Sequence, residues 1–180
     1  MFVFLLPYVC ACLWGHVGEE TEKLRQREGM PQAQEAAGYE ILVKYDWGVW
    51  ALPLEEYLVY KLSAVMPQEY EKEALKAQAV LLRTEVVEAL REEDTKSLQI
   101  SGGGMERWYE TDTGSEAYLP WRQAVEETAG LYLCCEGEPI QASYFKLSNG
   151  QTRDAAEVWD TDTRPYLTGI SCVQDKAARD

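Results

Sequence analysis

The chain has 180 residues, 46% of them hydrophobic and 27% charged, which suffices for one sizeable globular domain and not for two large ones. Its 31 acidic residues against 17 basic give a net charge of −14. That balance excludes the basic footprint of a nucleic-acid binder and any charge-driven adhesion to membranes or anionic wall polymers. The five cysteines include no CxxC pair, and the single histidine, His16, lies beside the apolar N-terminus. No metal-binding or cofactor motif is present, and no Ser/His/Asp or Cys/His catalytic set can be assembled inside the body.

Residues 1–15 (MFVFLLPYVCACLWG) are uncharged and mostly apolar. They are long enough for an export or membrane-anchor segment and short of a full span, and a buried N-terminal helix is the other reading. A polar linker occupies 16–38, and from Glu19 to Gly38 it lacks aromatics. The domain body then covers 39–180. Residues 39–45 (YEILVKY) alternate apolar and polar, as a half-buried strand does. Asp46-Trp47-Gly48 forms a turn and Val49 to Leu52 a second strand. Pro53 opens a helix that must stop before Met66-Pro67, because a residue preceding proline avoids the helical region. Glu71 to Glu92 form a longer helix, with Leu75, Ala79, Leu82, Val86 and Ala89 as its core stripe.

Residues 94–120 read as loop. Their Gly102-Gly103-Gly104 run lacks the lysine and the strand–helix setting of a phosphate loop. A further helix runs from Pro120 to Thr128 and ends at Gly130. LYLCC, the turn EGEP and IQASYF form a hairpin, closed by Ser148-Asn149-Gly150. Cys134 and Cys135 read as small buried hydrophobes, and a pairing of Cys172 with one of them stays open. Glu157-Val158-Trp159 and Pro165-Tyr166-Leu167 read as packed loops or short strands. These elements make an α+β domain, with two or three helices packed on an antiparallel sheet.

Several segments taken in order resemble one family. They are Leu52-Pro53-Leu54-Glu55-Glu56-Tyr57-Leu58, then Met66-Pro67, then Glu73 to Val80 (EALKAQAV) with Arg83-Thr84. Ala124 to Gly130 (AVEETAG), Ser148 to Thr152 (SNGQT), Glu157-Val158-Trp159 and Pro165-Tyr166-Leu167 follow. This pattern is similar to that of stage II sporulation protein D and the amidase enhancers. The resemblance spans roughly Val49 to Asp175. It implies work on peptidoglycan: either cleavage of glycan strands by a lytic transglycosylase or association with a cell-wall hydrolase. It also implies a membrane-held or extracytoplasmic bacterial location, with contact to the membrane through the N-terminal segment.

A transglycosylase needs one carboxyl that protonates the leaving oxygen and then serves as base while the sugar's own hydroxyl closes an anhydro ring. The resemblance places that glutamate immediately before Met-Pro, where this chain has Val65. Glu69 and Glu56 are weak substitutes, with Glu55 beside them; each reads first as a helix-end charge. The resemblance also implies a histidine and a serine–threonine pair where Phe145, Lys146 and Leu147 stand. Its glycine- and histidine-rich segment would lie beyond Asp180. Gln78, Arg83, Ser148, Gly150 and Thr152 are the residues through which a groove could hold substrate, or they are framework. Trp108, Tyr109, Trp121 and Trp159 could stack on sugars, with core packing as the other reading. The expectation is a non-catalytic domain that binds peptidoglycan or a wall-hydrolase partner; the alternative is an active transglycosylase with a displaced acid.

Overall fold

Alternation of apolar and polar residues at the start of the body puts Ile41 and Val43 on one face of a strand and Glu40 and Lys44 on the other. The computed structural model bears this out. It describes residues 38–102, 112–145, 147–159 and 164–177. The N-terminal segment, most of the linker, Trp108, Tyr109, Lys146, Cys10, Cys12 and His16 lie outside the described residues. Strand β1 (Glu40–Tyr45) turns at Asp46-Trp47 into β2 (Gly48–Pro53), and the two pair antiparallel. Pro53 then caps helix α1 (Leu54–Val65), with Glu55 and Glu56 in its first turn, where the helix dipole favours acids. The helix ends as the sequence requires. Met66, before Pro67, adopts φ −143° and ψ 116°, an extended conformation.

Helix α2 (Lys72–Glu92) is rich in Ala, Leu, Glu and Lys, all strong helix formers. Leu75, Ala79, Leu82, Val86, Val87 and Leu90 are buried on it, while Ala89, read as core, is half-buried. The chain next returns to the sheet as β3 (Ser97–Ser101), which pairs parallel with β1. This strand falls within the stretch read as loop, and it makes the sheet mixed, in the order β2-β1-β3. Its five residues, SLQIS, carry just two apolar side chains, too few for a strand pattern to stand out. A 3₁₀ turn (Glu116–Tyr118) leads into α3 (Leu119–Glu127), and Gly130 follows at φ 71°, the left-handed conformation that ends helices.

Helices α1, α2 and α3 pack against one another, and α1 and α2 lie over one face of the sheet. Ile41, Val43 and Leu52 are buried beneath them, whereas Lys44, Val49, Ala51 and Gln99 on the opposite face are exposed. The expected hairpin is present in a minimal form, β4 (Cys134–Cys135) with β5 (Glu138–Pro139). Its turn is Glu136-Gly137, at φ 54° and 87°, the left-handed pair that a tight two-residue hairpin demands. Two expectations fail here. Cys134 is exposed and Cys135 half-buried, because a two-residue strand with no covering layer cannot bury them. Residues 155–159 form a short helix, α4 (Ala155–Trp159), with Val158 and Trp159 exposed rather than packed. A last short helix, α5, spans Val173–Ala177. Cys134, Cys135 and Cys172 are all free thiols.

Leu82 is 1% exposed at the centre of this core. Leu82→Ala should cost ~2–5 kcal/mol, read as a lower denaturant midpoint with an unchanged slope.

Candidate functional site

The first turn of α1, the middle of α2 and the end of α3 converge on one side chain. Arg83 is fully buried, and its guanidinium donates to both carboxylate oxygens of Glu55, Nε to Oε1 at 2.9 Å and Nη2 to Oε2 at 2.6 Å. Nη1 donates to the Leu131 carbonyl at 3.0 Å and reaches the Thr128 hydroxyl at 3.5 Å, while Nη2 also donates to the Val125 carbonyl at 3.3 Å. The planar fork matches a carboxylate in two parallel bonds, which lysine could not do. The neighbouring Thr84 is buried too. Its hydroxyl donates to the Val80 carbonyl at 2.7 Å and accepts the Leu133 amide at 3.0 Å. Thr128 donates to the Ala124 carbonyl at 2.8 Å. Arg83-Thr84 and the Ala124–Gly130 stretch, read separately in the sequence, are thus two sides of one joint.

Val65 is half-buried and packs against the core at the end of α1. On the next residue, the Met66 carbonyl accepts a 2.7 Å hydrogen bond from the Trp121 indole. Trp121 continues a row of aromatic edge and tilted contacts through Tyr118 and Tyr60 to Trp50, with neighbouring centroids 5.5 to 5.8 Å apart. Tyr57, also on α1, is buried, and burial first and the charge of Glu85 second push its hydroxyl up to about 12. Glu55 has both oxygens engaged by Arg83, Glu56 is half-buried on α1, and Glu69 is exposed in the turn after it. Gln78 is 4% exposed on α2, and its amide nitrogen has no hydrogen-bond partner.

The other sequence candidates lie in a separate clip. The Ser148 hydroxyl and amide both donate to Oδ2 of Asp175, at 2.6 and 2.9 Å, and the Gly150 amide donates to the Ser148 hydroxyl at 3.1 Å. The Thr152 hydroxyl accepts from the Ile170 amide at 2.8 Å, and the Cys172 amide donates to the Gly150 carbonyl at 2.8 Å. Gly150 sits at φ 91°, which favours glycine. Ser148, Gly150 and Thr152 therefore hold residues 148–152 against 169–175. The hydrogen bonds from Ser148, the hydroxyl foremost, keep the buried Asp175 carboxyl below the usual aspartate range. Neither Glu55 nor Asp175 was assigned these partners from sequence. Glu55 could have been found from its place in a family motif; Asp175, outside every motif, left no trace. Among the described residues, no three His, Cys, Asp or Glu groups could hold a metal ion, and no helix is long and apolar enough to cross a membrane.

An α+β domain with three mutually packed helices, locked by a buried arginine and lacking a carboxyl at Val65, is the class that fold and site define. Residues 47–134 match the Stage II sporulation protein (SpoIID) family, and the chain belongs to that family. It is 33% identical over 138 residues to Stage II sporulation protein D of Bacillus subtilis (strain 168), covering 69% of this chain and 40% of the relative. It is 33% identical over 139 residues to the same protein of Bacillus amyloliquefaciens, with the same coverage. The amidase enhancer of Bacillus subtilis (strain 168) is 33% identical over 112 residues, 61% of this chain and 14% of that protein. The chain thus matches less than half the length of each of these relatives.

Glu55→Gln should leave the buried guanidinium without its counter-charge and destabilise the fold, toward the lower end of ~3–5 kcal/mol because Glu55 keeps 35% of its side chain in solvent. Chemical denaturation of Glu55→Gln, Arg83→Met and the double variant should show that the two losses do not add. A second prediction concerns pH. A depressed folded-state pKa gives Asp175 stability that is present above the ordinary aspartate pKa of about 3.9. That stability is lost as pH falls through the folded value. Ser148→Ala should raise the Asp175 pKa, followed by carboxyl-carbon NMR, and move the acid limb of the stability curve upward in pH.

Proposed function

We propose that this chain is a cell-wall-associated sporulation domain that binds peptidoglycan glycan strands without cleaving them. The observation that carries the reading is Val65. The resemblance places the catalytic acid there, and an aliphatic side chain packed on the core transfers no proton. Two neighbouring facts support it. The Glu55 carboxylate is held bidentate by Arg83, and Glu69 stands in solvent beyond the end of the helix. The relatives named Stage II sporulation protein D and amidase enhancer support the setting, a role at the bacterial cell wall in sporulation. The uncharged 1–15 segment fits export or a membrane anchor that delivers the domain there.

The purified chain, incubated with peptidoglycan and analysed by muropeptide chromatography, should release no anhydro-muropeptides above background. A positioned acid contributes roughly 10²–10⁴-fold in rate, and this chain forgoes it. Val65→Glu should restore little, since Phe145 and Leu147 also depart from the pattern that the resemblance implies. Clear anhydro products from the wild type, lost on Glu69→Gln or Glu56→Gln, would overturn the reading in favour of a transglycosylase with a displaced acid.

A further inference from the structure

Strand β2 carries a row of backbone groups that neither the core nor the Arg83 joint uses. The sheet runs β2-β1-β3, so one side of β2 has no strand beside it. Which groups face that side follows from the antiparallel ladder, in which alternate residues exchange hydrogen bonds with the partner strand. The Leu54 amide donates to the Tyr39 carbonyl at 3.1 Å. At every second residue before Leu54, namely Leu52, Trp50 and Gly48, β2 bonds to Ile41, Val43 and Tyr45 of β1. Val49 and Ala51 fall between them, so their amides and carbonyls point away from β1. Pro53 holds the same kind of position, where its missing N–H costs no ladder bond. Among the described residues, no hydrogen bond reaches the backbone of Val49 or Ala51 from that open side.

An open edge is ordinarily blunted by charged side chains, a bulge or proline. Strand β2 (GVWALP) has no charged residue, its register with β1 runs without a bulge, and its proline stands at the very end. Val49 is 57% exposed and Ala51 is exposed with it, so the edge is within reach of a partner. The lack of charge also narrows what that partner is. With a net charge of −14 the chain repels its own copies over most of its surface, but β2 adds nothing to that repulsion. A charged peptide would find no complementary group on the strand. A second β2 is uncharged too, and it presents the same donors and acceptors at the same spacing.

We propose that the β2 edge is a self-association surface, on which a second copy of this chain adds its own β2 antiparallel and continues the sheet. A two-fold axis at Trp50 sets Val49 opposite Ala51 of the second copy and leaves Pro53 outside the new ladder. Each copy then donates from the Val49 and Ala51 amides and accepts at their carbonyls. The two Trp50 residues face each other as a non-hydrogen-bonded pair, with Cα atoms about 4.5 Å apart. Their indoles lie on the helix-covered face, where Trp50 already meets Tyr60 edge to face. The inference is independent of the wall-binding reading.

The test uses the full chain in a non-ionic detergent, which keeps the apolar 1–15 segment from associating. Analytical ultracentrifugation should show a monomer–dimer equilibrium with a Kd on the order of tens of micromolar, as suits so small an interface. Hydrogen exchange at the Val49 and Ala51 amides should slow as protein concentration rises. Val49→Pro removes an outward amide without touching a bond to β1, and should weaken the dimer at least roughly tenfold, since half of the new ladder goes. Val49→Thr keeps the amide and should associate as the wild type does. If circular dichroism shows that Val49→Pro has lost its fold, exchange in the wild type decides alone. A wild type that stays monomeric at roughly 1 mM overturns the proposal. So does a dimer in which the Val49 and Ala51 amides exchange at the same rate at every concentration, or one that a folded Val49→Pro forms equally well; either result puts the interface elsewhere.

Discussion

A fully buried guanidinium must be satisfied on every side, and the placement of three helices follows from how Arg83 meets that demand. Its fork fixes the first turn of α1 through Glu55 and the end of α3 through the Val125 and Leu131 carbonyls. Hydrophobic contact alone would let these helices slide by a fraction of a turn, since apolar surfaces are not directional. An ion pair with two parallel hydrogen bonds is directional, so it selects one arrangement. Thr84 adds the same kind of fix one residue on, holding the chain just past the helix through the Leu133 amide.

The regular parts of this fold were legible because their causes are local. The alternation in β1, the proline after Met66 and the apolar stripe of α2 each act within a few residues, and each element ends where these rules put it, to within a residue or two. Strand β3 was not legible. Its pairing with β1 is decided by a partner far away in sequence, and its own residues carry little β pattern. The short hairpin and α4 failed for a related reason: neither buries enough surface to leave a periodic signature, so Cys134, Val158 and Trp159 are exposed where core was expected.

At the candidate site the sequence named the right residues and left their partners open. Arg83 and Gln78 are polar members of a buried helix face, and no sequence rule distinguishes a framework arginine from a ligand-binding one. Geometry separates them, since Arg83 has its donors spent inside the protein, whereas the Gln78 amide nitrogen has no partner. Ser148, Gly150 and Thr152 likewise serve the backbone of the segment that faces them. A family motif therefore marks positions that a fold depends on as readily as positions that touch a substrate.

The parallel pairing of β3 with β1 has a consequence for how the chain is made. During synthesis β1 and β2 can close as a hairpin at once, but the other edge of β1 stays open until both α1 and α2 have emerged. Until then, Ile41 and Val43 lie on an incomplete sheet with an unpaired edge, the arrangement most prone to pairing with a neighbouring chain. Because both helices precede β3 in the chain, helix packing is available to shield that apolar face before strand pairing can complete the sheet.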